Sequence, residues 1–431
     1  MNGTLRLRYE QVATTSAAAG AVDVARELVK VGTVTGKEAN LAPLLADLLG
    51  SAGVEARVAE FAPGRTNVYG RLQGAGEGPT TLLVGHTDTV GVIGWPGAWG
   101  NDPRSDAWGA TVLGESLWGI GSADDKGGIA AICAALAALR ELHLRPAGDV
   151  VLAFVGDEES GQPGTGLSAG TKALVEELTS GRLGNPDFAI YVEPTSLDVY
   201  TAQPGFFIAT ITVRGRASYF AYPWQGRSAI RDATRVLEAL EEHEAAIWGR
   251  GRHPSVGRPL LVVTGIRGGE AVAVPEHCEV DLIRTVPPGE TLDAARLELE
   301  EILQRLALDR GIVCEASYLA PRDHTLGGTP VETDPEAPDV RLLHACATLA
   351  GRSAIGGAPY WSELPLLAAI GIRGVYFGPG DIAVCHTPLE HVPLADLRRA
   401  TATIGTFLAT RVTARPGTTP PLQQSPTEED N

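Results

Sequence analysis

Apolar and polar positions change their rhythm twice along the chain. Helical spacing predicts helices at about 21–31 and 38–50. Short apolar or β-branched runs then predict strands at 54–59, 67–72 and 80–85. The run TTLLVG is continuously apolar, the pattern of a strand buried on both faces. A helix is predicted over 126–144, a strand at VVLAFVG (150–156), a helix near 169–179 and a strand at DFAIYV (187–192). Strands alternating with helices imply a mostly parallel mixed sheet flanked by helices, an α/β fold. From 206 the pattern alternates instead. FFIATITVRG (206–215) reads as a half-exposed strand, followed by a helix at 229–246 with Ile230, Thr234, Leu237 and Leu240 on one stripe. Strands at 259–266 and 279–283, a helix at 291–308 and a strand at 311–319 complete a β-α-β-β-α-β order, the ferredoxin-like α+β pattern. The α/β rhythm then resumes with a helix at 338–350, a strand at 371–378 and a helix near 393–412. The predicted organisation is a catalytic domain over 15–205 and 320–413, an inserted domain over 206–319, and a disordered Pro-, Thr- and acid-rich tail over 414–431.

Composition narrows the function. With 35 basic and 52 acidic residues, the formal net charge of −17 argues against a nucleic-acid binder or a protein of anionic membrane surfaces. The longest apolar run, 129–139, has 11 residues, and a membrane span needs about 20. The first residues hold no continuous apolar core, so no secretory signal is expected. Five cysteines (Cys133, Cys278, Cys314, Cys346, Cys385) are scattered without CxxC spacing. They read as reduced thiols of a cytoplasmic protein.

The chemistry collects where α/β folds bind ligands, beyond the carboxyl ends of the strands. His86-Thr87-Asp88 follows TTLLVG, and Asp124-Asp125 opens the 126–144 helix. Asp157-Glu158-Glu159 follows VVLAFVG, Glu193-Pro194 follows DFAIYV, and His386 lies in the loop after VYFGPG. Each group has an ordinary explanation, such as a helix cap or a solvated acid. Their joint occurrence at one end of one predicted sheet does not. Histidine and carboxylate without thiolate suit two divalent metals, Zn²⁺ first, with Co²⁺ or Mn²⁺ as alternatives.

Five ordered motifs, HTDTV (86–90), GIGSADDKGG (119–128), GDEESG (156–161), VEPTS (192–196) and CHTPLEHV (385–392), resemble those of the co-catalytic dizinc amidohydrolases. That family includes the aminoacylases, acetylornithine deacetylase, succinyl-diaminopimelate desuccinylase and the glutamate carboxypeptidases. The resemblance spans about 20–412. It implies that Asp124 bridges two metals, with His86 and Glu193 completing one and Glu159 and His386 the other. It implies Asp88 as the partner that orients His86, Glu158 as the general base acting on a metal-bridging water, and a cis bond at Asp124–Asp125. Arg284, in RTVPPGE, would clamp a substrate carboxylate, and loops carrying Gly357 and Gly378 would line the site. The implied activity is hydrolysis of the amide of a small N-acyl amino acid, or of a dipeptide. The chain departs from the pattern at two points: Tyr219 stands where the family carries a site-reaching histidine, and Val272 where an asparagine often precedes Val-Pro. Tyr219 could donate to the same oxyanion, or belong with Phe220, Tyr222 and Trp224 to an aromatic substrate wall. The departure leaves open an amide-forming, acyl-transferring or non-hydrolytic metal-binding relative. FFIATITV is expected to pair edge to edge with a second copy, giving a homodimer through 206–319.

Overall fold

The computed structural model describes residues 2–411 apart from 77, 93, 160–164, 270 and 271; the expected tail lies outside them. A large sheet forms the platform. Its four inner strands, Val150–Val155, Thr81–His86, Phe188–Tyr191 and Arg373–Tyr376, are neighbours in that order and parallel to one another. Antiparallel strands Arg65–Leu72 and Glu55–Ala62 extend one side, and Val199–Gln203 and Val331–Glu332 the other. Thr81–His86 and Val150–Val155 are buried at every position, as their unbroken apolar runs require. The helix Lys126–Glu141, apolar almost all round, is covered by the sheet on one side and by the helices Ala21–Lys30 and Leu394–Thr410 on the other.

The first helix runs over Asn2–Ala13, where the apolar spacing gives no amphipathic stripe. Tertiary packing explains it: Val12 is fully buried and seats against Gly405 on the Leu394–Thr410 helix. A Cβ at Gly405 would lie 2.8 Å from the Val12 side chain.

A second sheet has its own core. Strands Leu261–Gly268, His277–Val286, Gly205–Arg214 and Val313–Tyr318 lie in that order, all antiparallel, beneath the helices Ala229–Gly249 and Leu292–Arg310. The second helix starts at Thr291, whose hydroxyl accepts the Ala294 N–H, and stops at Gly311 in the left-handed region (φ 61°). Two expectations change here. Gly205–Arg214, which carries FFIATITV, is an inner strand paired on both sides, so it has no free edge to offer a second copy. The buried stripe of Ala229–Gly249 is Ala229, Ala233, Val236, Leu240 and Ile247; Ile230 is 39% exposed and Thr234 faces solvent. Small alanines were outweighed by Ile230 in the pattern, yet they are what lets this helix approach the sheet.

Candidate metal centre

The four inner strands end at one rim of the large sheet, and each hands over to a loop bearing a candidate ligand. His86 is the last residue of its strand. Its Nε2 lies 2.8 Å from Asp124 Oδ1, while its Nδ1 lies 3.0 Å from the Asp88 carbonyl oxygen. His386 Nε2 lies 3.1 Å from Asp124 Oδ2 and 2.7 Å from Glu159 Oε1. Asp124 therefore offers one oxygen to each of two imidazoles. One donor atom each from His86, Asp124 and Glu159 falls within 4.8 Å of the others. The donor set is nitrogen and oxygen only, buried and convergent, which fits divalent cations of the borderline-to-hard kind. The Asp124–Asp125 bond is cis. Glu390 braces it, its carboxylate accepting the Ala123 and Asp124 N–H groups at 3.2 and 3.3 Å.

A cavity of about 270 Å³ opens on this cluster. Asp124, Glu158, Glu159, Glu193 and His386 share its lining with Phe206, Tyr360, Trp361, Arg322, Val90 and Ile382. Glu193 is buried and accepts a 2.7 Å hydrogen bond from Ser362 Oγ. Burial pushes the Glu158 carboxyl well above its usual range, and the charges of Glu193 and Glu159 add to that push. Asp124 is held below the carboxylate range, because the bonds from His386 and His86 outweigh its burial. Burial would lower the pKa of His386, but its bonds to Asp124 and Glu159 raise it to about 11.

The loop carrying both glutamates is held by an ionic network. Asp157, at φ 69°, accepts the N–H groups of Gly166, Leu167 and Ala169 at 3.0 Å each, and pairs with Arg65 at 2.7 Å. Arg65 also pairs with buried Glu38. A non-glycine residue in the left-handed region is strained and persists only where its surroundings hold it. The same applies to His386 at φ 61°.

Five expected site residues sit differently from expectation. Asp88 meets Nδ1 of His86 through its backbone oxygen; its carboxylate stands 3.8 Å off and instead accepts Thr35 Oγ1 and the Glu159 N–H, each at 3.0 Å. Arg284 does not line the cavity. It is 1% exposed, faces the helices of the second sheet opposite Phe207, and its fork is taken by Glu290 and the Thr285 carbonyl. A strand alternates faces, so Phe206 reaches the cavity while the Phe207–Arg284 pair cannot. Tyr219 is 57% exposed on a short strand paired with Ala273–Val274, away from the cavity of its own chain; Val272 beside that strand is exposed too. Gly378 lets the backbone close on the strand end, since a Cβ there would sit 2.5 Å from the Glu193 carbonyl. Gly357 packs against Ser255 and Val256 rather than lining the cavity. Ser362, Glu390, Arg322 and Trp361 join the site without a signal in the motifs. Ser362 and Trp361 lie in GGAPYWSELP (356–365), the stretch that carries Gly357, and Glu390 lies in CHTPLEHV, but Arg322 follows the last alternating strand where no period operates.

Residues 82–410 match the family described as Peptidase family M20/M25/M40. The acetylornithine deacetylase of Myxococcus xanthus is 33% identical over 353 residues, covering 80% of this chain and 84% of its own. The succinyl-diaminopimelate desuccinylase of Nitrosomonas eutropha is 29% identical over 335 residues, covering 75% and 81%. Among solved structures, a tripeptidase from Staphylococcus aureus superposes with a TM-score of 0.72 at 18% identity, covering 92% of this chain and 98% of that one. Human carnosine dipeptidase 1 superposes at 0.70 and 15% identity, covering 95% and 98%. These likenesses extend the shared fold over the whole platform and the second sheet.

Proposed function

The chain belongs to peptidase family M20/M25/M40 and is a metal-dependent hydrolase of amide bonds in acyl amino acids or dipeptides, and within that class we propose that it is a deacylase of small N-acyl amino acids bearing a free carboxylate. The family is dinuclear, and one observation carries the reading here: Asp124 turns Oδ1 to His86 and Oδ2 to His386. His86, Asp124 and Glu193 would hold one cation, and Asp124, Glu159 and His386 the other. Zn²⁺ is the proposed metal, given two imidazoles among carboxylates; Co²⁺ and Mn²⁺ suit the same donors. When bound, two such cations supply Lewis acidity to the amide carbonyl and to a water nucleophile.

The chain's own residues do the rest. Glu158 lines the cavity, and the bonds from the two imidazoles go to Asp124 and Glu159 rather than to it, which leaves its carboxylate for proton transfer. It takes a proton from the attacking water and delivers it to the departing nitrogen as the C–N bond breaks. Ser362 orients Glu193, and the Asp88 backbone oxygen fixes the ring of His86. Asp88 acts on Glu158 and Glu159 from behind, through their N–H groups at 3.3 and 3.0 Å.

Two further parts of the reading concern the cell and the assembly. No helix among the described residues is long and apolar enough to cross a membrane. All five cysteines are free thiols. The free thiols support a cytoplasmic location as part of this proposal. A homodimer through the second sheet remains the proposed assembly, now through the Leu261–Gly268 edge, where Val262, Val263 and Ile266 are exposed.

The test is a mass-spectrometric screen of zinc-loaded protein against pooled N-acyl amino acids and dipeptides. Release of free amino acids at catalytic turnover is expected. Two bound metals with no amide cleaved would overturn the reading.

A further inference from the structure

One phenol on the cavity wall stands without a partner. Tyr360 lines the cavity together with Glu193 and Asp124 and is half-buried, yet its hydroxyl oxygen is shut off from solvent and meets no protein group at hydrogen-bond distance. A buried phenol ordinarily finds a partner. Its neighbours do: Tyr376 donates to Gln203 Oε1 at 2.5 Å and accepts the Leu364 N–H at 3.1 Å, and Tyr191 donates to Glu363 at 2.8 Å. Phenylalanine would fill the place of Tyr360 and leave no hydroxyl unpaired, so packing alone does not account for the oxygen.

The ring is held where it is. It meets Tyr376 edge on, with 6.2 Å between centres. On one side Ala358 donates its N–H to the Ala202 carbonyl at 2.8 Å. On the other, Ser362 donates its N–H to Gln203 at 2.9 Å and its hydroxyl to Glu193 at 2.7 Å. The segment that carries the phenol therefore also orients a proposed metal ligand. Burial pushes the phenol well above its usual value near 10, and the charges of Glu193, Tyr376 and Asp124 act in the same direction, so it is an O–H donor at neutral pH.

Apart from the groups given to the metals and to proton transfer, two neutral side chains of the described lining can donate, Trp361 and Tyr360. The Trp361 indole N–H is taken by the Thr329 carbonyl at 3.1 Å. Tyr219 lies outside the cavity, so the phenol that the chain itself brings to the site is the one at 360.

We propose that the Tyr360 hydroxyl is a catalytic donor to the substrate's amide oxygen. This rests on the deacylase reading and adds a contact with a reacting atom to it. As the water oxygen bonds to the amide carbon, the C=O π pair moves onto the carbonyl oxygen, and Tyr360 donates a hydrogen bond to that oxygen while keeping its own proton. When the pair returns, the C–N bond breaks and the nitrogen leaves with the proton carried by Glu158. The bond is strongest while the oxygen bears charge, so it favours the tetrahedral state over the bound substrate.

The experiment compares zinc-loaded wild type and Y360F on N-acetyl-L-leucine, chosen because Val90 and Ile382 give the wall aliphatic surface, and on the pooled N-acyl amino acids. A phosphinate analogue of N-acetyl-leucine, with tetrahedral phosphorus in place of the amide carbon, serves as the binding probe. Y360F should keep both metals and lower kcat about 100-fold with KM changed by no more than about twofold, the pattern of a donor engaged in the transition state. The phosphinate should bind Y360F about 100-fold more weakly. The urea midpoint of metal-free Y360F should equal or exceed that of the wild type, because no bond is lost. An unchanged kcat, or a lowered midpoint with loss of metal, would overturn the assignment. Absence of all turnover by the wild type would instead overturn the deacylase reading. Calorimetry with the phosphinate then judges the hydroxyl alone: weaker binding by Y360F supports it, and equal binding, or none by either protein, refutes it.

Discussion

At the scale of single residues, the two adjacent glutamates carry different duties, and substitution separates them. Glu158→Gln should keep both metals and lower kcat by about 10³, within the range of a general acid–base group. Glu159→Ala should lose metal, because Glu159 converges with His86 and Asp124 and bonds His386 at 2.7 Å. Metal content by plasma emission spectrometry, beside kcat, checks both; metal loss in Glu158→Gln would reverse the assignments. A second consequence concerns protons. In the metal-free chain, the bonds to Asp124 and Glu159 keep the His386 imidazolium to about pH 11, and bonding to Asp124 likewise holds His86 well above its ordinary value. A histidine with a raised pKa contributes stability that is complete below its unfolded value near 6.5 and is lost as pH rises through its folded value. At pH 7.5 the His386 ring is therefore protonated before loading, and metal binding there must expel that proton. Calorimetry in buffers of different ionisation enthalpy should show proton release on zinc uptake; a buffer-independent heat would contradict it.

At the scale of elements, the site depends on loops held from outside it. Asp157 satisfies three backbone N–H groups and Arg65, so Asp157→Ala removes the acceptor of all three N–H groups, buried Gly166 among them, and leaves half-buried Arg65 with Glu38 alone. A loss of about 3 kcal/mol is expected, the scale for breaking a buried polar network. Urea unfolding measures the stability, and a parallel fall in metal affinity would report the loosened Glu158–Glu159 turn. Ser362→Ala acts more narrowly. Glu193 loses its orienting donor, and affinity for one metal should drop by about 10- to 100-fold with the fold intact. Two equally weakened sites would argue against the division of ligands proposed here.

At the scale of the whole molecule, the second sheet has two edge strands, Leu261–Gly268 and Val313–Tyr318, with Gly205–Arg214 enclosed, and Leu261–Gly268 is the longer. An edge with exposed apolar side chains is a template for pairing. Sedimentation at micromolar concentration should show a dimer, and V263K/I266K should shift it to monomer. A monomeric wild type would refute the assembly.

What the chain determined alone follows from local physics. Continuous apolar runs required strands buried on both faces, and alternation with helices required a parallel sheet. A parallel sheet collects its strand ends on one rim, so the sequence alone brings His86, Glu158, Glu159, Glu193 and His386 to the same end of the sheet. The order β-α-β-β-α-β likewise announced the second sheet. Tertiary structure decided what periodicity leaves free. Which strand of the second sheet lies inside depends on partners distant in sequence, and alternation reads the same for an inner strand and an edge. Which way an arginine turns depends on one residue of register, which sent Arg284 beneath the helices. Arg322 reaches the cavity wall from a loop with no period at all, beside rings that come from Phe206 and Trp361, far apart in the chain.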